Sequence, residues 1–226
     1  MIHKNARTAI VVVVIGILAV AIPHAAQAVP TDFDFSGNFT YDNDVVLIDF
    51  TVSSASNVTV FSSSWLQGNP PAGFDPMLGI WDGAGNLVDF QDDGDISGTE
   101  MSNGVPYSYG DWDSYYTVNL NPGSYTASIT QYDNFNNGSN LSDGFYYDGV
   151  SGRDFTYQNG FGGATQPYFN GVWDDNDPRT SSWEFHLLNV DTANIPPVPE
   201  PATVSLLGLG LLGMGVGAIR RKRNST

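Results

Sequence analysis

The stretch Asp92-Asp93-Gly94-Asp95-Ile96-Ser97-Gly98 gathers the side chains best suited to chemistry in this chain. Asp93, Asp95 and Ser97 fall at positions 1, 3 and 5 of a calcium-binding loop, and Gly98 takes position 6, where the loop turns sharply. Oxygen donors at alternate positions suit calcium, a hard cation that takes six to eight oxygens in flexible geometry. Position 12 is Gly104 instead of the bidentate Glu, and no helical period flanks the segment. The full helix–loop–helix site is therefore excluded. A looser calcium site is expected, built on Asp93, Asp95 and Ser97, with Asp92 and either Asp82 or Asp113 as further donors. The plainer alternative is that these aspartates solvate a loop and cap its turns.

Other chemistry has little raw material. There is no cysteine, and His186 is the only histidine between the two chain ends. Nucleophile–base pairs of the usual kind need a thiol, an amine or a well-placed imidazole. Aspartates are plentiful, so a small carbohydrate-active enzyme using paired carboxylates stands as the alternative to a non-enzymatic role. A third reading is a permanently anchored single-pass structural protein. Aromatic side chains offer a binding function instead. Trp65, Trp81, Trp112, Trp173 and Trp183 stand among polar loops and strands, and exposed rings there could stack on sugars. For Trp81 and Trp183, inside expected strands, packing is the better reading; Trp112 in "YGDWDSYY" is the best sugar-stacking candidate.

The elements that would position these groups are strands. Val46, Ile48, Phe50 and Val52 share one face at period two, as do Val58 and Val60, then Tyr116, Val118 and Leu120, then Tyr125, Ala127 and Ile129. Pro122-Gly123 carries type II turn chemistry, so Leu120 to Tyr125 is expected to close a hairpin. "MLGIWDGAGNLVDF" reads as a second hairpin, and "WEFHLLNV" as a closing strand. With no sustained helical period, the expected fold is all-β, a β-sandwich or jelly-roll-like single domain over residues 29–190. Residues 142–182 lack clear alternation and read as a loop layer or a partly disordered tract. A Pro-rich linker follows at 191–198.

Both ends differ from this domain. His3, Lys4 and Arg7 precede the apolar run Ala9–Ile22, and Ala26-Gln27-Ala28 supplies small residues for cleavage, so residues 1–28 read as a secretory signal peptide cut after Ala28. Residues 202–219 are 18 without a charge, long enough for a short transmembrane helix. Arg220, Arg221, Lys222 and Arg223 follow at once and would stop transfer and stay inside. Only Arg153 and Arg179 of the eight basic residues lie between Val29 and Pro201, together with all 24 acidic ones. A surface so acidic repels polyanions, which excludes nucleic acid as a partner.

Pro199-Glu200-Pro201, the apolar span and the terminal cationic cluster together resemble the PEP-CTERM sorting tail of exported Gram-negative proteins. The resemblance implies transient anchoring in the inner membrane, then action by an exosortase near the Pro-Glu-Pro. It further implies a final location at the cell surface or in the exopolysaccharide matrix of a biofilm, with extracellular polysaccharide as a partner. Residues 199–223 would be the tail, with Pro199, Glu200 and Pro201 as the recognition element. Prolines on both sides keep Glu200 out of helix and strand, leaving the segment extended. The domain itself, through "FDPMLGIWDGAGNLVDFQDD" and "DSYYTVNLNPGSYTASITQYDNF", is more distantly similar to exported β-domains that precede this tail and to bacterial pre-peptidase C-terminal sandwiches. That likeness implies a sandwich with binding or accessory work.

Overall fold

The computed structural model describes residues 31–66, 73–94, 96–159, 168–173 and 177–196. Ala26 and Ala28, the Pro199-Glu200-Pro201 motif, the apolar span 202–219 and the cluster Arg220 to Arg223 lie outside the described residues. So does Asp95. Among the described residues no helix is long and apolar enough to cross a membrane.

Two antiparallel sheets share one core. The first contains, in spatial order, β1 (Thr31–Asn38), β12 (Ser182–Val190), β3 (Ser56–Ser62) and β8 (Tyr115–Leu120). The second contains β13 (Thr192–Asn194), β2 (Val46–Val52), β9 (Gly123–Gln131), β4 (Pro76–Asp82) and β5 (Leu87–Gln91). The period-two stripes meet between them: Val58, Val60, Leu120, Phe185 and Leu187 from the first sheet pack with Ile48, Phe50, Leu78, Ile80 and Ile129 from the second. This is a β-sandwich, and the all-β expectation holds. Trp81 and Trp183 are 0% and 4% exposed, so both are packing residues, and the Trp81 indole N–H donates to Ser128 Oγ at 3.0 Å. "WEFHLLNV" became β12, a central strand flanked by β1 and β3. The second sheet continues into the segment read as a linker, through β13.

One expected hairpin is absent. β8 and β9 do not pair: β8 lies against β3, and β9 lies between β2 and β4. Asn121 and Pro122 would be the two loop residues of a tight hairpin, whose favoured turns need positive φ at one or both positions. Proline holds φ near −65° and biases the residue before it toward extended backbone. Gly123 does not enter the left-handed region either, as a type II turn would require. The chain instead bends at Pro122 and crosses from one sheet to the other, which still sends both apolar stripes into the core. "MLGIWDGAGNLVDF" does form its hairpin, β4 with β5. Gly85 sits at φ +82° at the tip, and the Ala84 and Asn86 amides donate to Asp82 Oδ1.

A further hairpin, β6 (Gly98–Ser102) with β7 (Val105–Tyr109), stands as a separate two-stranded sheet. Its turn is Asn103-Gly104 at φ +48° and +79°, the left-handed pair that tight hairpins prefer. It lies over the outer face of the first sheet, where Phe61, Leu188 and Tyr109 make a small second cluster bordered by Tyr107 and Tyr115. Over the tract 142–182 the described residues hold two 3-10 turns, one short helix α1 (Phe155–Gln158) and a two-residue ladder of β10 (Val172–Trp173) with β11 (Asp177–Pro178).

Candidate metal centre

At one end of the sandwich four segments converge: the chain entering β4 at Asp75, the exit of β5 at Asp92 and Asp93, the β7–β8 loop at Gly110–Ser114, and the exit of β9 at Gln131–Asp133. The fully buried Ser114 hydroxyl lies within hydrogen-bonding reach of the Pro76, Gln91 and Asp92 carbonyls. With one proton it can donate to only one at a time. The Tyr115 amide donates to Gln91 Oε1 at 2.7 Å, and the Gly94 amide to the Asp113 carbonyl at 2.9 Å. These bonds pin the β5 exit against β8, and the Tyr132 amide binds the Asp75 carbonyl at 2.9 Å from the other side.

Held this way, Asp75, Asp92 and Asp93 each place a carboxylate oxygen within 4.8 Å of the others. Asp75 is 3% exposed, and its buried Oδ1 receives no hydrogen bond; Oδ1 of Asp92 is likewise buried without one. Gln131, 3% exposed and opposite Pro76 on the ladder, has both side-chain amide atoms buried and unpartnered. Buried polar groups in folded proteins are nearly always bonded, so this density of unmet oxygens at one spot points to a ligand.

The charges point the same way. Burial, with the neighbouring Asp93, Asp92 and Asp113 carboxylates adding to it, pushes Asp75 up to about 9, while Arg179 pulls weakly the other way. Burial, then Asp93 and Asp133, raises Asp92 to about 7. Asp113 is raised to about 6 by burial although the Gly110 and Trp65 amides and the Ser62 hydroxyl donate to it. Three clustered carboxylates cannot all ionise cheaply without a cation between them. All-oxygen donors suit calcium or magnesium and not the softer transition metals.

Of the residues picked out in the sequence, Asp93 is in this cluster. Ser97 is not: its hydroxyl turns to Asp111 Oδ1. Asp82 sits at the far end of β4, committed to its own turn. Asp113 is adjacent, but both its oxygens already accept hydrogen bonds. Asp75 was missed. Its signal was available, since "GFDPMLGIW" sets one charge inside an otherwise apolar run.

Beside the cluster, the Trp65 and Trp112 rings lie 6.0 Å apart, and the Arg179 guanidinium stacks over Trp65 at 3.2 Å from its centroid. Trp65 is buried, whereas Trp112 is 38% exposed. The Trp65 amide donates to Asp113 and Trp112 precedes it in the chain, so the aromatic pair and the acidic end share one loop.

Beyond the described domain, residues 197–222 match the PEP-CTERM protein-sorting motif. The chain carries a PEP-CTERM sorting tail. The match spans Pro199, Glu200 and Pro201, the apolar run, and Arg220 to Lys222. A PEP-CTERM tail implies recognition by an exosortase, export, and transient membrane anchoring. No curated protein matches the chain.

Proposed function

We propose that this PEP-CTERM protein is a non-enzymatic surface or matrix protein, cleaved from its anchor by an exosortase, whose β-sandwich binds polysaccharide in a calcium-dependent way. The tail match carries the route. The acidic end carries the binding: a cation held by Asp75, Asp92 and Asp93 neutralises the least favourable charges of a strongly acidic domain. The exposed Trp112 ring beside it offers a stacking face for a sugar. A domain this acidic repels acidic polysaccharides unless divalent ions lie between them.

Intact-mass analysis of the processed protein tests the route. The mature mass lacks residues from 220 to 226 in cells with the exosortase and retains them in cells without it, and Glu200→Ala retains them in both. A mass that includes the cationic cluster in every strain refutes sorting. Co-sedimentation with the producing cell's own exopolysaccharide tests the binding. Trp112→Ala raises the apparent Kd about tenfold, a loss of roughly 1.4 kcal/mol of aromatic contact, and chelator weakens binding by the unaltered protein. Equal binding by Trp112→Ala removes the aromatic face from the proposal.

A further inference from the structure

His186 is 1% exposed on the outer face of the first sheet. Its Nδ1 lies 2.8 Å from Asp34 Oδ1, and its Nε2 lies 2.9 Å from Ser63 Oγ. These are the spacings of a nucleophile–base–acid relay. Yet Ser63 is only 3% exposed, and its oxygen also sits 2.7 Å from Glu184 Oε2. In this arrangement no substrate carbonyl reaches the hydroxyl, so a different role has to account for the relay.

The groups around His186 come from every element packed on it. β1 supplies Asp34, β12 supplies Glu184, and β3 with the residue after it supplies the Phe61 ring, stacked at 4.4 Å, and Ser63. The β6–β7 hairpin supplies Tyr107, whose ring lies 4.0 Å from the imidazole and covers it. The same hairpin is fastened at its turn to the histidine's own partner: Asn103 Nδ2 donates to Asp34 Oδ2 at 2.8 Å and to the Asp32 carbonyl at 3.0 Å. In the middle of β6, Glu100 Oε2 accepts from the Tyr115 hydroxyl at 2.8 Å. Every one of these hydrogen bonds to the first sheet involves a side chain, because β6 and β7 pair only with each other. The hairpin can therefore lift without breaking any ladder.

We infer that the β6–β7 hairpin is an acid-released lid whose latch is His186, and that it covers an aromatic face of the first sheet. The latch works through its hydrogens. A neutral imidazole donates from Nδ1 to Asp34, leaving Nε2 as an acceptor, and the single Ser63 proton must serve either Nε2 or Glu184. Protonation gives Nε2 a hydrogen to donate to Ser63, and the serine proton turns to Glu184. The imidazolium is then bracketed by two carboxylates, but it is sealed between two aromatic rings. Burial lowers the His186 pKa more than the Asp34 bond and charge and the Glu184 charge raise it.

The sign follows. With the closed-state pKa below the 6.5 of an open, hydrated histidine, the open state binds more protons as pH falls below about 6.5, and closure weakens. Asp34 does not contribute to this step: although its burial acts upward, hydrogen bonds from His186 and Asn103 hold it below its ordinary 3.8, so it stays ionised until the pH falls below about 4. Lifting the hairpin uncovers Phe61 and Leu188 along with its own Tyr107 and Tyr109.

Hydrogen–deuterium exchange of the full chain, read by mass spectrometry and corrected for intrinsic exchange rates, tests the latch. Protection of residues 98–109 falls up to about tenfold between pH ~7.5 and ~5.5, the span that one linked proton allows, while that of β4 and β9 peptides does not fall. The fall begins near pH ~6.5, the ordinary histidine value, which distinguishes the imidazole from a carboxylate. His186→Gln abolishes the pH step. Constant or rising hairpin protection overturns the inference, as does a fall that begins only near pH ~4 or an unchanged step in His186→Gln. The onset in the unaltered protein decides the matter even where that variant does not fold. None of these readouts depends on calcium or polysaccharide, so failure here leaves the proposed function standing.

Discussion

Saturating calcium raises the melting temperature of the chelated protein by roughly 5–10 °C: binding at about a hundred times Kd adds about 2.7 kcal/mol, and each kcal/mol shifts a domain of this size by about 2–4 °C. The shift depends on pH, and its sign can be worked out. The folded pKa values of Asp75 and Asp92, about 9 and about 7, lie above the ordinary 3.8. The folded chain thus holds protons more tightly than the unfolded one. Without metal, this contribution to stability is full below about pH 4 and is lost as pH rises through the folded values, by up to about 1.4 kcal/mol per pH unit for each proton. Calcium replaces those protons, so its increment grows between about pH 6 and pH 8. Asp75→Asn removes a carboxyl that must take up a proton, or bury a charge, when the chain folds. It melts higher than the unaltered protein in chelator at about pH 8, and its calcium increment falls below about 2 °C. Magnesium, which demands octahedral geometry and sheds water reluctantly, gives a smaller shift than calcium. Coincident midpoints with calcium and with chelator eliminate the site.

Asp42→Ala costs about 3–5 kcal/mol, read from the urea midpoint at constant slope. Asp42 is 0% exposed in the turn after β1. Its Oδ2 accepts the Thr156 hydroxyl at 2.5 Å and the Thr156 amide at 3.3 Å; its Oδ1 accepts the Asn170 amide at 2.6 Å and the Gly171 amide at 3.2 Å. Burial raises its pKa while those four donors oppose the rise. Removing the carboxylate strands buried donors, each costing about 1–3 kcal/mol unless water enters. Both neighbours of Asp42 add to the attachment. Asn43 Nδ2 donates to the Gly149 carbonyl at 2.9 Å, and the Arg153 guanidinium lies 4.1 Å from the Tyr41 ring centroid. Three consecutive residues thus fasten the irregular layer to the sandwich. Limited proteolysis of Asp42→Ala therefore cuts first between residues 145 and 171. A loss under about 1 kcal/mol with an unchanged digest would falsify this account.

How far these features were legible follows from how local their causes are. The inward stripes of β2, β3, β8 and β9 were readable because strand periodicity is a property of neighbouring residues. The partner of each strand was not. Tyr116, Val118 and Leu120 would face the core equally well in a hairpin or across the sandwich, and only the turn chemistry of Asn121-Pro122 argued against the hairpin. The Asn103-Gly104 dipeptide is a tight-hairpin signal that the sequence reading passed over, and the hairpin's place over His186 had no local signal, since it is a contact between segments far apart in the chain. The candidate metal centre divides in the same way. Asp93 was found in its acidic loop, while Asp75, 17 and 18 residues before Asp92 and Asp93, joins them only because β4 and β5 pair. Ser97 satisfied the spacing but turned away.

By itself, then, the sequence determined the route and the material: an exported, strongly acidic, strand-built chain with a PEP-CTERM tail, all encoded in contiguous runs whose order carries the meaning. The tertiary structure alone decided which carboxylates are forced together, which histidine is sealed, and which tripeptide holds the irregular layer. Those outcomes depend on burial and on pairing across many residues, where the cost of an unmet charge or hydrogen bond is set by what folds on top of it.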